Sequence, residues 1–358
     1  MAYTAINDPA LYFQTKLYTG SGSIQAITLD GSENMQPDFI WAKSRGENRH
    51  FYLADVIRGV KSRLRCDNND EEYTANSTSG FDSFDSNGFT LEEDSSSLGL
   101  NESSHNMVSW NWKGGGSASA NSDGSTASSI SANTTAGFSV VSYTGAGATT
   151  YGHGLGATPN VIIIKKRTSD SGNNNWFVYH DKVITAGGSN KSFLTLNETN
   201  ATQSNGSATT FTSVSSTTFG VGTDDIISES SHTFIAYCFA EKKGYSKFGK
   251  YVGNNDNDGP YVFTGFKPAF VIIKRTDSAD DWKMVSRKVE VHNTMNQSVK
   301  ANSSVAEATE SDHAMDLLSN GFKFRENNAA FNTSGTYVYM AWAQEPFVTS
   351  EGLPTTAL

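Results

Sequence analysis

Charge is scarce in this chain. Only 18% of its 358 residues are Asp, Glu, Lys or Arg, against roughly 25% in an ordinary globular protein. The formal balance is −10, and no basic cluster runs longer than a pair or two. The sequence-independent nucleic-acid binders need a basic face that displaces counterions, and this chain has none to offer. Long apolar runs are missing too, since no stretch approaches the ~20 residues that span a bilayer. Met1-Ala-Tyr-Thr-Ala-Ile-Asn-Asp-Pro9 has neither a basic region nor an apolar core, so it does not read as a signal peptide. Nucleic acid and membrane insertion are therefore not expected.

Cysteine is almost absent. Cys66 and Cys238 are the two in the chain and lie far apart, so a disulfide framework is not expected. Cys238 sits in an apolar strand pattern and reads as a buried free thiol. Cys66 sits in a polar, acidic stretch. The histidines (His50, His105, His153, His180, His232, His292 and His313) form no HxH or HExxH pair, so a zinc site has no local support. Glycine-rich pieces such as Gly20-Ser-Gly22 and Gly152-His-Gly154 start no helical pattern, and no G-x-S-x-G stands in a strand-turn-helix context. Asn254-Asn-Asp256-Asn-Asp258-Gly259 resembles half a calcium loop. Gly265 falls where its bidentate Glu would be, so it reads as a polar hairpin turn. The expectation is no catalytic residue, no metal and no cofactor.

Ser, Thr, Asn and Gly fill the place of charge, and 21 Phe, 14 Tyr and 6 Trp supply core-building rings. One block occurs three times: Pro37-Asp-Phe-Ile-Trp-Ala-Lys43, Pro159-Asn-Val-Ile-Ile-Ile-Lys165 and Pro268-Ala-Phe-Val-Ile-Ile-Lys274. Spacings of roughly 110–120 residues are too long for a solenoid repeat. Other landmarks keep the same order around it. Tyr18-Thr-Gly20, Tyr143-Thr-Gly145 and Tyr251-Val-Gly253 precede it. Phe51-Tyr52, Trp176-Phe177 and Trp282-Lys283 follow. Asn87-Gly-Phe89, Thr218-Phe219 and Asn320-Gly-Phe322 come next, and each unit closes on an aromatic strand ending near Trp112, Phe239 or Trp342.

The expected fold is all-β: three tandem antiparallel β-sandwich domains related by internal repeat. The boundaries are 1–113, a Gly/Ser-rich linker at 114–136, then 137–243, 244–347 and a tail at 348–358. The linker has no apolar periodicity and reads as flexible. The shorter second junction predicts tighter docking of the second and third units. Asn87-Gly88 and Asn320-Gly321 predict hairpins. Helical pattern is thin: Gly59 weakens 54–64, and 312–318 offers one or two turns. The lysine closing each core strand is expected to emerge into solvent at the far end of the sheet.

Aromatic rings beside Asn/Asp-rich loops suit sugars, whose C–H faces stack on rings while amides and carboxylates take the hydroxyls. That makes Trp176, Tyr179, Tyr151, Trp282, Asn175 and Asp281 candidate ligand-binding residues, served by the loops 169–175 and 277–281. Against this, Trp176 and Trp282 occupy equivalent places and could each begin a core strand.

With these blocks laid out, the chain resembles repeat-built tail fibre and virion structural proteins of tailed bacteriophages. The matching elements include Tyr18-Thr-Gly-Ser-Gly22, Val56-Ile-Arg-Gly-Val60, Phe84-Asp-Ser-Asn-Gly-Phe89, Trp110-Asn-Trp-Lys-Gly-Gly115, Gly152-His-Gly-Leu-Gly156 and Ala343-Gln-Glu-Pro-Phe347. The resemblance covers nearly the whole chain and carries no catalytic or ligand motif. It implies a non-enzymatic virion protein, assembled in the bacterial cytoplasm where thiols stay reduced. Its expected partners are copies of itself, as a homo-oligomer such as a trimer, other virion proteins and a host-surface glycan. The first repeat begins by about residue 12, which leaves little room for a tail-docking anchor and keeps a capsid-decorating head fibre or cement protein open. A glycan-degrading enzyme is the reading from another class, because paired carboxylates leave no mark in a sequence.

Overall fold

The computed structural model describes residues 4–74, 80–94, 99–168, 174–310 and 313–354. Strands dominate, and the sheet pairings are antiparallel. The one α-helix among the described residues is a single turn, Asp225–Ser228.

One strand order stands three times. In the first unit Phe13–Thr19, Asn106–Trp112, Phe39–Ser44 and Tyr52–Asp55 lie side by side. In the second the order is Phe138–Thr144, Thr233–Phe239, Val161–Lys166, Phe177–His180. In the third it is Ser246–Val252, Thr336–Pro346, Phe266–Arg275, Lys283–Ser286. A three-stranded sheet covers each: Gln25–Thr28 with Gly88–Leu91 and Phe81–Asp85, Thr149–Gly152 with Thr218–Val221 and Phe211–Val214, and Tyr261–Phe263 with Gly321–Phe324 and Met315–Leu318. The registers coincide as well. Phe39 lies opposite Trp112 and Asp55, Val161 opposite Phe239 and His180, and Phe270 opposite Trp342 and Ser286.

Each core strand is apolar on both faces because both faces are covered. Side chains alternate along a strand. Phe270 and Ile272 therefore face a core shared by all three units, while Val271 and Ile273 face the small sheet of the third unit. Phe39 and Trp41 divide in the same way from Ile40 and Ala42. In the shared core the closing aromatics of the three units meet. Ring centroids of Trp112 and Trp342 are 5.3 Å apart, Phe239 and Trp342 5.5 Å, and Trp112 and Phe239 6.3 Å. Each such ring pair adds about 0.5–1.5 kcal/mol beyond its buried area.

The lysines correct the expectation of solvent exposure. Lys43, Lys165 and Lys274 are fully buried. Each ammonium donates to one carbonyl of its own unit and one of a neighbour. Lys43 Nζ reaches Arg49 O and, 2.7 Å away, Ser304 O of the third unit. Lys165 Nζ reaches Asn174 O and, at 3.1 Å, Asn69 O of the first unit. Lys274 Nζ reaches Asp280 O and, at 2.7 Å, Thr199 O of the second unit. Backbone bonds follow two residues on: Glu307 N to Arg45 O, Glu72 N to Arg167 O, and Thr202 N to Thr276 O. First grips third, second grips first, third grips second. The units close into a ring with heterologous, head-to-tail junctions.

Other expectations change for the same reason. The 114–136 segment is not a free linker. Ser128–Asn133 pairs with Phe138–Thr144, and Ser119–Asn121 pairs outside it, which covers an edge that would otherwise stand open. Gly137, at φ 69°, makes the turn that Asn133 closes. All three junctions, the second with the third included, share one lysine-clamp plan. Residues 54–64 form a strand end, a turn at Gly59 and a short strand rather than a helix, and Met315–Leu318 is a strand. Asp312, where that second helix was expected to start, lies outside the described residues. Asn254–Gly259 does not turn a hairpin but crosses from Ser246–Val252 of the large sheet to Tyr261–Phe263 of the small one. Asn87-Gly88 and Asn320-Gly321 do sit at hairpins.

Candidate functional site

None of the expected sugar-stacking rings offers a free face. Trp176 and Trp282 are buried strand starts whose indole Nε1 groups donate across junctions, each over 2.8 Å, to Arg65 O and Thr195 O. Tyr151 stacks on Tyr143 at 4.0 Å, and its hydroxyl donates to Thr144 O. Tyr179 is buried beside Phe211, 5.2 Å between centroids. Asn175 donates to Glu198 and accepts from Asn197, whose own oxygen holds the Trp176 amide. Asp281 accepts from Asn302 Nδ2 at 2.9 Å and Lys300 Nζ at 2.8 Å. Burial alone would raise its carboxyl; those two donors hold it below the usual range. Trp176 lies with Asn175 at one junction and Trp282 with Asp281 at another, so the six residues form no common site. Of the loop expected to assist them, 169–173 lies outside the described residues.

Chemistry-bearing groups are mostly engaged in structure. His180 stands in register with Ser286 of the third unit and Asp55 of the first. Its Nδ1 accepts the Lys182 amide and its Nε2 lies 3.3 Å from Tyr339 O of the third unit. Both roles suit a neutral ring, and burial pushes its pKa down to about 4. Both cysteines are buried free thiols, and Cys66 Sγ lies 3.2 Å from Ala301 O of the third unit. Among the described residues no three His, Cys, Asp or Glu side chains gather closely enough to hold a metal ion.

Among the described residues, open clefts lie beside the junctions, and three of them bear on the chemistry. Their carboxylates are Asp30 in the first, Asp38 in the second and Glu241 in the third, so none brings together the pair that glycoside hydrolysis uses. The first has a volume of about 400 Å³ and lies between the first and third units. Ala10, Phe13, Gln14 and Thr15 form one wall, and Ala269, Arg287 and Ala343 the other. Sequence reading missed it because its walls are some 250 residues apart and share no motif.

Arg287 is its unusual member. The side chain is nine-tenths buried, and Nη2 donates to Val291 O at 2.6 Å. Nη1 is buried and has no hydrogen-bond partner among the described residues. A buried donor left so costs about 1–3 kcal/mol. Burial pulls the guanidinium below its ordinary pKa, against the opposing pull of Glu345. At the rim the Asp30 carboxylate is shared by Lys288 Nζ at 3.1 Å and Lys16 Nζ at 3.5 Å. The cleft is thus lined by two cations, Arg287 and Lys288, and one carboxylate, Asp30, with Glu345 close enough to act on Arg287.

Comparison with known proteins adds a family match. No curated protein and no solved structure matches the chain. A family model, described as a domain of unknown function (DUF7483), matches residues 8–346. That span takes in all three units and all three junctions, as a ring that closes on itself requires. The chain belongs to the DUF7483 family.

Proposed function

We propose that the protein is a structural component of a tailed-bacteriophage virion, displayed on the particle and presenting its loops to the host surface. The ring carries this reading. One chain builds a closed threefold arrangement whose closing aromatics and strand-end lysines are spent on the interior, leaving loops rich in Ser, Thr, Asn and Gly outside. The resemblance of its sequence blocks to tail and virion structural proteins supplies the setting. Host contact in this reading rests on loops and junction clefts rather than on Trp176 or Trp282.

Decoration of the capsid is the second reading. It is favoured by the ring itself, because a body with three similar faces suits a seat surrounded by three-fold related neighbours. Labelled antibody against the protein, imaged on purified particles, tests both. Label on the particle supports the virion reading, and its position at tail or head chooses between the two. Particles free of the protein would overturn both.

A further inference from the structure

We propose that the third unit binds an extended, acidic strand of a partner protein along the open edge between its two sheets. The second unit shows what such an edge holds. There Ser128–Asn133 pairs with the large-sheet strand Phe138–Thr144, with Ser129 opposite Ser142. The same segment reaches the small sheet: Thr126 N bonds to Thr150 O at 3.1 Å, and Ser128 Oγ to Gly152 O at 2.8 Å. Ile130 and Ala132 lie between the two edges, so close to Gly154 that a Cβ there would clash with the Ile130 side chain.

In the third unit the registers put Lys250 and Val252 where Ser142 and Thr144 stand. They put Tyr261, Phe263 and Gly265 where Thr150, Gly152 and Gly154 stand. Bonding alternates along an antiparallel pair. Ala343 N bonds to Tyr245 O and Gly253 N to Gly335 O, so Lys250 and Val252 turn their N–H and C=O outward. Thr264 N bonds to Asn320 O, so Tyr261 and Phe263 do the same. These outward backbone groups have no hydrogen-bond partner among the described residues. They are also accessible: Lys250 is exposed, and Val252 is 67% exposed, Phe263 58% and Tyr261 44%. Beside them an open cleft of about 560 Å³ is lined by Ser246, Lys247, Phe263, Gly265, Phe347 and Val348. It lies at Gly265, the place that Ile130 and Ala132 fill at Gly154 in the second unit. The first unit covers part of this edge itself, with Gln25 Nε2 on Thr19 O and the Asp30 carboxylate on Lys16.

The edge selects its occupant. A strand seated here needs one aliphatic side chain for the cleft, as Ile130 is in the second unit. Opposite Lys250 it needs a carboxylate, because opposite charges attract across a strand pair and like charges repel. Lys247 is already bound to Glu241, whereas Lys250 has no ion pair among the described residues. Lysine on an edge discourages pairing between copies and leaves an acidic strand as the matching partner, added by main-chain hydrogen bonds with a pocket for one side chain. Binding to the purified chain does not depend on where the protein sits, so the proposal stands apart from the virion reading.

The test uses the full chain and a labelled synthetic peptide of residues 125–134 carrying Ser129→Glu, which sets a carboxylate opposite Lys250. The peptide should bind saturably and slow amide hydrogen exchange in 246–252 and 261–263 by roughly 10-fold or more. Its Ser131→Pro form, which lacks an N–H for pairing, and its Ile130→Asp form should each bind roughly 10-fold more weakly. On the protein, Lys250→Glu should weaken binding roughly 10-fold and Phe263→Ser roughly 5-fold. Both side chains are exposed, so folding is kept. Lys250→Glu should in turn prefer the peptide with Ser129→Lys. Absence of binding, or binding that leaves exchange in 246–252 unchanged, overturns the edge site. Equal binding of the Ser131→Pro form overturns strand pairing, and equal binding by Lys250→Glu overturns the acidic assignment. Self-association of the chain that Phe263→Ser abolishes would give the edge to a second copy and overturn the partner strand.

Discussion

The Tyr237 hydroxyl of the second unit donates to the Asp55 carboxylate of the first over 2.8 Å. Arg58 completes the contact: its Nε bonds to Asp55 and its Nη2 lies 3.1 Å from the Tyr237 oxygen. All three groups are buried, and Glu72 adds a second carboxylate 3.2 Å from Arg58 Nη1. Burial works against the Arg58 charge, but Asp55, Tyr237 and Glu72 together hold its pKa above the ordinary value. His180 and Ser286 stand at the positions equivalent to Asp55 and face the third and first units. The ring thus keeps the contact and varies its chemistry.

Removing Asp55 and Tyr237 together should cost less than the sum of removing each alone. Tyr237→Phe takes one hydroxyl from two charged groups, and a loss of about 1.5–3 kcal/mol is expected. Asp55→Ala leaves a buried guanidinium short of its main partner, and about 3–5 kcal/mol is expected. Denaturant unfolding of both single variants and the double variant gives the coupling. A coupling near zero would show that the two residues do not act across the junction.

The lysines make a sharper case for what the sequence showed and what it hid. Three copies of one strand, each ending in lysine, were legible, and so were the sandwich class and two hairpins. The error came from treating each unit as a free-standing sandwich, whose strand end must meet solvent. The ring supplies a third surface there. A position that keeps lysine in all three copies, never Arg or Glu, carried the signal of a shared buried task. Trp176 and Trp282 deceived in the same way: polar loops beside them suggested solvent, but those loops belong to junctions. The Ser/Gly-rich 114–136 segment lacks apolar periodicity because its strands lie over a sheet edge with only Ile130 as a buried large side chain.

Lys165 should leave a signature in pH. Burial pulls its pKa down to about 7, partly opposed by Asp70 and Glu71; Lys43 and Lys274 are pulled to about 8, against Asp67 and against Asp280 with Asp281. Unfolded lysine titrates near 10.4. Between about pH 7 and 10 the unfolded chain therefore binds more protons, and stability rises with pH. Above ~8.5 the buried thiols Cys66 and Cys238, pushed up by burial, act in the opposite sense. The clean window is thus pH 7–8.5, where Lys165 alone contributes about 2 kcal/mol. Lys165→Met should cost about 2–4 kcal/mol at pH 7, since it strands carbonyls of two units, and should flatten the rise. An equal slope in both proteins would refute the assignment.

Acid should act through His180. Its folded pKa of about 4 lies below the unfolded value near 6.5. The unfolded state takes the proton first, so stability is full above pH 6.5 and falls as pH drops toward 4. The loss from this ring amounts to about 3 kcal/mol. His180→Gln removes the titration, and the difference between variant and parent should shrink by that amount on acidification. Urea midpoints at pH 7, 5.5 and 4.5 measure it. Parallel curves would mean that His180 is not held neutral at the junction with the third unit.

Ring closure itself can be tested by cutting the chain. The third unit meets the first only through non-covalent contacts: Lys43 with Ser304, the paired hydrogen bonds of Arg45 with Glu307 at 2.8 Å each, and the stacked rings of Trp110 and Phe270 at 5.0 Å. It meets the second through Lys274, Trp282 and the Phe239–Trp342 contact as well as through the chain. A fragment of residues 244–358 alone would expose Phe270, Trp342 and the Lys274 clamp, an apolar face too large for an isolated domain. It should be poorly folded, with weak near-ultraviolet circular dichroism and dye binding typical of loose packing. Mixed with residues 1–243, it should recover a 1:1 complex with native-like dispersion in NMR. Trp342→Ala in the fragment, which removes one corner of the aromatic triangle, should weaken that complex by about 3–5 kcal/mol. A 244–358 fragment that folds alone and ignores its partner would show that the units are independent domains and that the shared core does not hold the ring together.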